Sequence, residues 1–261
     1  MSSRKLVFLL ALMLAPPCAY GADVTAFDVT TALRKSTTAA SVDYSGKNLS
    51  FLDLAGLDFK QARMAGADLY GSDLTNARLS RTNLAGARLD RTSVAGSDFS
   101  GAILKGATFL TIMAHTSMDP VPVDAPNFSG ADLSDAHIAS RLDGADFRNA
   151  DLSRARLGQL VATWGSYRPR AVLNGANFSG ATLHGADLSK AVLQFTQFRG
   201  ADLRDAKLMD CDLSSAVLAG ADLAGADFTG ADLDGADLTG VKNLASAIGL
   251  DHAKNFDKTA R

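Results

Sequence analysis

An apolar residue stands at every fifth position from Tyr44 to Phe109, through Leu49, Leu54, Phe59 and Met64 and on to Leu104 without a miss. Phe128, Leu133 and Ile138 resume the beat, which slips by one residue and continues at Leu142, Phe147, Leu152 and Leu157. A third run goes from Leu173 to Leu238, so that the three runs hold fourteen, seven and fourteen central residues. Two positions before each stands mostly Ala, one before is often Asp, Asn or Arg, and two after is often Gly. A period of five fits neither a helix of 3.6 residues per turn nor a strand of period two, so the chain must turn a corner once per repeat. With the central residue and the Ala two before it inward, large and small side chains fill a narrow interior and the Gly-rich end makes the corner. The pattern leaves the number of corners per coil open.

The local word is A-D-L-x-G, as in Ala67-Asp68-Leu69-Tyr70-Gly71, Ala201-Asp202-Leu203 and Ala231-Asp232-Leu233-Asp234-Gly235. These words resemble the pentapeptide-repeat family, and the resemblance covers about two thirds of the chain. It implies an all-β fold, a right-handed quadrilateral parallel β-helix with four sides per coil. Thirty-five repeats then make nearly nine coils and, at ~4.8 Å per coil, a rod of about 40 Å. A centre packed with Leu and Phe offers no cleft for a small molecule, which argues against an enzyme.

The ends depart from this grid. Arg4 and Lys5 precede an apolar run from Leu6 to Ala15, followed by Pro16-Pro17 and the small-residue stretch Cys18 to Ala22. The run is well short of the roughly twenty residues of a membrane span, and it reads as a signal peptide cut near Gly21 or Ala22, with a periplasmic or secreted product and no transmembrane segment in the mature protein. Pro17 before Cys18 disfavours lipidation. Loss of Arg4 and Lys5 takes the net charge from −2 to about −4 and leaves Cys211 as the one cysteine, so no internal disulfide forms. The organisation expected is a signal peptide over 1–22, an N-terminal cap over 23–41 and repeat blocks over 42–110, 127–157 and 173–240. Between the blocks lie an interruption or degenerate coil at 111–126 and a loop insertion at 158–172. Residues 241–261 form a C-terminal cap. The first cap is a short helix or an irregular plug; the last is expected to be helical, with Asp251 as a helix N-cap. Some members of the family dimerise through this end, which leaves a homodimer possible.

The insertion at 158–172 holds the only tryptophan, and Trp164, Tyr167, Arg168 and Arg170 are residue types enriched at protein interfaces. Two readings stand side by side: a loop that engages a partner, and an inert insertion whose Trp packs on the rod. Residues twenty apart should stack, which aligns Asp58, Arg78 and Asp98, then Asn48, Asp68 and Arg88, then Asp43 and Arg63. Each exposed pair contributes about 0–1 kcal/mol, enough for register and solubility. From Met209 to Gly240 there are seven acids and no Lys or Arg. Asp212, Asp222, Asp227, Asp232 and Asp237 form a candidate acidic surface for a basic partner or a cation, against the reading that Asp here serves the turn backbone.

His115, His137, His184 and His252 share no metal-ligand spacing, and the glycines follow the five-residue grid, not a phosphate-loop or nucleophile-elbow motif. No catalytic residue, metal or cofactor is expected, and interleaved charges disfavour direct nucleic-acid binding. The leading expectation is a non-catalytic exported scaffold binding an unidentified protein or envelope component. The alternative is a DNA-mimicking topoisomerase-binding regulator of the quinolone-resistance type, which the family resemblance brings in and the leader sequence disfavours.

Overall fold

The computed structural model describes residues 21–36, 42–113, 124–159 and 169–260; the leader up to residue 20 lies outside them. The residue before each central apolar position pairs in parallel with its counterpart one coil on. Asp43, Arg63, Asn83 and Ile103 form one such ladder, and Asn48, Asp68, Arg88 and Thr108 a second. Asp53, Asp73 and Ser93 belong to a third, and Asp58, Arg78 and Asp98 to a fourth. A coil is therefore twenty residues with four paired positions, one per pentapeptide; the stacking expected of Asp58 with Arg78 is present, and Asp212 stacks on Asp232 in the same way.

One repeat shows why five residues suffice. In 67–71 the Ala67 N–H closes the preceding turn on the Met64 carbonyl at 3.0 Å. Asp68 donates to Lys47 in the coil before at 2.9 Å, while Leu69 and Gly71 donate to Arg88 and Asp90 in the coil after, at 2.8 and 3.0 Å. The remaining donor, the Tyr70 N–H, goes to the Asp68 side-chain Oδ1 at 3.0 Å. All five amides are satisfied, as a closely packed backbone requires. Alternation puts Ala67 and Leu69 on the inside, and both are fully buried. Gly71, at φ +67, makes the corner. Hydrophobic burial of the central Leu and Phe columns supplies the driving force. Phe99, Phe128, Phe147, Phe178 and Phe198 stack nearly parallel with centroids 4.7 to 5.1 Å apart, the spacing the ladder imposes.

The first coil is covered by helix α1 (Ala26–Lys35), started by a reciprocal Thr25–Asp28 capping box. Val29 and Leu33, one turn apart, are buried against the core. Lys60 Nζ holds the far end of the helix through the Leu33 and Ser36 carbonyls at 2.9 and 3.1 Å.

Strand β1 (Thr108–Met113) pairs in parallel with β2 (His137–Arg141). Asp98 then pairs directly with Asn127, so the described levels on either side of the stretch after Met113 are adjacent. The one-residue slip lies in β2, where His137 and Arg141 are successive paired positions only four residues apart. Arg141 pairs next with Val172, bypassing the second insertion, and Val172 is itself a ladder residue.

The C-terminal cap differs from expectation. Residues 241–260 contain no α-helix; they make one more coil whose paired positions, Lys242, Ile248, Lys254 and Ala260, fall six residues apart. After each of the first three comes a left-handed residue, Asn243, Gly249 or Asn255, and then a single 3-10 turn: Leu244–Ser246, Leu250–His252 and Phe256–Lys258. The left-handed residue and the pairing to the coil below stop any helix from propagating. Asp251 lies inside the second turn, with Gly249 at its cap.

Gly240 and Gly249 separate strain from crowding. At Gly240, φ +63, an added methyl meets nothing, whereas at Gly249, φ +72, it meets the Thr229 N and Cα at 2.7 Å. Gly240→Ala should cost about 1–2 kcal/mol in urea unfolding. Gly249→Ala should cost about 1–3 kcal/mol more.

Candidate functional site

All five acidic candidates make the same local bond. Asp212, Asp222, Asp227, Asp232 and Asp237 each accept, through Oδ1, the backbone N–H two residues on, at 2.9 to 3.2 Å. They supply the fifth amide's partner. Nor do they form an uncompensated acidic face, because the ladders reach past the sequence window in which they were counted. Lys242 stacks on Asp222, Lys254 on Asp232, and Lys207 on Asp227. Asn243 and Asn255 donate to Asp222 and Asp232 at 2.7 and 2.8 Å. The Asn243 bond is the main reason the Asp222 carboxyl lies below its ordinary value. Asp202 is lowered by its Arg204 partner and Asp237 by Thr239. Asp212 is lowered although burial opposes it, through Ser214 and Gln194.

At three paired positions that are not Asp or Asn, the acceptor comes from the coil before. Leu110 N–H, after Thr108, donates to Asp90 at 3.0 Å; Asn174 N–H, after Val172, to Asp143 at 2.8 Å; and Gln194 N–H, after Val192, to Asn174 at 3.2 Å.

Of the candidate partner residues in the second insertion, Trp164, Tyr167 and Arg168 lie outside the described residues. Arg170 stands where the chain rejoins the rod, and its Nη1 donates to the Lys190 carbonyl at 3.2 Å. Cys211 occupies an inward small-residue position, where burial pushes its thiol up to about 12 and Sγ faces the Leu188 carbonyl at 2.9 Å. His184 lies 3.7 Å from Asp205. Among the described residues no group of three or more His, Cys, Asp or Glu is placed to hold a metal ion, and no helix is long and apolar enough to cross a membrane. A recess of about 210 Å³ beside α1, lined by Thr30, Leu33, Arg34, Gly56, Leu57, Asp58 and Lys60, is smaller than ordinary ligand pockets.

Sequence reasoning missed one surface cluster. Phe51 and Phe195 are the only apolar residues among the described left-handed corners, at φ 58 and 59, and are 72% and 60% exposed. The Phe51 ring meets Tyr70 edge-on at 5.3 Å, and the Arg88 guanidinium lies over Tyr70 at 4.1 Å. The signal was available: Phe stands where the grid favours Gly.

A pentapeptide-repeat family model matches eight copies, over residues 48–81, 77–109, 126–159, 170–205 and 206–242, well over half of the chain. The chain belongs to the pentapeptide-repeat family. The family fold is a right-handed β-helix. Among solved structures it is similar to HetL, a pentapeptide-repeat protein involved in heterocyst differentiation regulation from Nostoc sp. strain PCC 7120. That match is 28% identical, covers 84% of this chain and 90% of that one, and has a TM-score of 0.39. A thylakoid-lumen pentapeptide-repeat protein of Arabidopsis thaliana is 24% identical over 45% and 69% of the two chains, with a TM-score of 0.28. QnrB1, a plasmid-mediated fluoroquinolone resistance protein, is 23% identical over 77% and 89%, with a TM-score of 0.32. No curated protein matches.

Three outcomes follow from this geometry. Asp227→Ala should cost about 1 kcal/mol in urea unfolding, whereas Asp227→Asn, which keeps an acceptor for the Thr229 amide, should cost little. The folded-state carboxyls of Asp202, Asp222 and Asp237 lie below the ordinary 3.8. Their contribution should be full above that value and be lost as pH falls through the lower folded values, giving a melting temperature that declines only on the acid side. Cys211 should resist a thiol reagent in the native protein and react on unfolding in denaturant.

Proposed function

We propose that this pentapeptide-repeat protein is a non-catalytic exported scaffold, quadrilateral in section, that binds a protein or envelope component through a rod face or the insertion at 158–172. One observation carries the reading: the central Leu and Phe positions and the Ala-type positions are filled and almost entirely shielded from solvent from Leu49 to Leu238. A rod filled in this way places its chemistry on its outside, where the side chains serve recognition more readily than catalysis. The leader sequence from Arg4 to Ala22 supports export. A homodimer belongs to the same proposal. It is supported by Leu244, Leu250 and Phe256 of the last described coil, which are only partly buried.

Fractionation of the producing cell with N-terminal sequencing tests the proposal. Recovery outside the cytoplasm, beginning near Ala22 or Asp23, is the expected result. An intact cytoplasmic chain beginning at Met1 would overturn export and, with protection of a type II topoisomerase from a quinolone, would favour the DNA-mimic reading instead.

A further inference from the structure

We propose that the corner formed by Phe51, Gly71 and Arg91 is a stacking subsite for an acidic sugar residue of a polysaccharide. The proposal deepens the reading of the chain as a binding rod and rests on it.

Three successive coils place these residues on one edge. Phe51 violates two local preferences at once: a bulky side chain in the left-handed region, and an aromatic ring 72% exposed. Other corners use Gly, or polar residues such as Asn76 and Asp205, so the fold does not require Phe here. A costly outlier of this kind points to a role outside folding. The ring is held in place. It lies across Gly71 so closely that a methyl there would meet two ring carbons at 2.8 Å, and Tyr70 braces it edge-on. Tyr70 is fixed in turn under Arg88, whose Nε and Nη1 lie 3.1 and 3.4 Å from Asp90 and Asp68. The result is a preorganised flat apolar face, which suits the C–H face of a pyranose ring.

Arg91 supplies the charge. Its guanidinium carbon lies 5.8 Å from the Tyr70 ring, and among the described residues no carboxylate forms an ion pair with it. A guanidinium on the same edge as an exposed ring matches a sugar carrying a carboxylate, which Arg binds through two parallel hydrogen bonds. Size separates a sugar from a protein partner. The strip spans two coil spacings, about 10 Å, whereas a specific protein interface covers roughly 800 Å² on each side.

The test is isothermal titration of the full chain with an oligogalacturonate and, separately, with a neutral cello-oligosaccharide. Phe51→Gly and Arg91→Asn both suit a left-handed corner, and unchanged melting confirms that they fold. Saturable binding of the oligogalacturonate is expected, at least tenfold weaker in each variant and at least tenfold weaker for the neutral probe. Absence of saturable binding overturns the subsite, as does an unchanged affinity in Phe51→Gly. Equal affinity for both probes overturns its acidic specificity. Export is read independently: a cytoplasmic chain that binds the oligogalacturonate keeps the subsite and loses the envelope role, and an exported chain that binds neither probe loses the subsite alone.

Discussion

The structure depends on where the fifth amide of each repeat goes. A chain that pairs with itself twenty residues on can place three of five N–H groups in neighbouring coils and one in its own turn; the remaining donor sits at a corner with no backbone acceptor in reach. An Asp or Asn one residue before the central Leu meets it, as Asp68 does for Tyr70. That requirement explains the second letter of the A-D-L-x-G word, and much of the surface acidity with it. It also explains how Val172 and Val192 can stand at paired positions: Asp143 and Asn174, one coil earlier, supply the missing acceptor.

The sequence period was a faithful guide wherever inside and outside alternate, because a fully buried Leu or Phe cannot leave its column without opening the core. The slip before Leu142 was equally legible, and the structure places it in β2. Legibility failed where the rule changed without changing composition. The last coil keeps apolar residues at Leu244, Leu250 and Phe256, yet moves from five residues per side to six, so a continuing ladder reads as decay. The lysines that stack on the acidic candidates were not legible for a related reason. Lys242 and Lys254, which stack on Asp222 and Asp232, lie beyond the last regular repeat, and their placement depends on the new spacing. The ring of Phe51 went unremarked because a period analysis weighs the columns and passes over the corners.

The interior keeps its continuity across both insertions. The Phe column from Phe99 to Phe198 runs through the levels at which Asp98 pairs with Asn127 and Asp146 with Asn177, with no ring displaced from the stack. Since a solenoid coil contacts only its neighbours, the flanking ladders hold the register at both places.

Such indifference to what intervenes has a practical side. At the two places where pairing skips, after Met113 and before Val172, the rod sets no fixed length on the segment between. Closing a loop costs only about 0.6 kcal/mol for each doubling of its length. These two sites are natural ports for grafting: foreign peptides spliced there would be displayed from a stiff shaft whose own coils need no redesign.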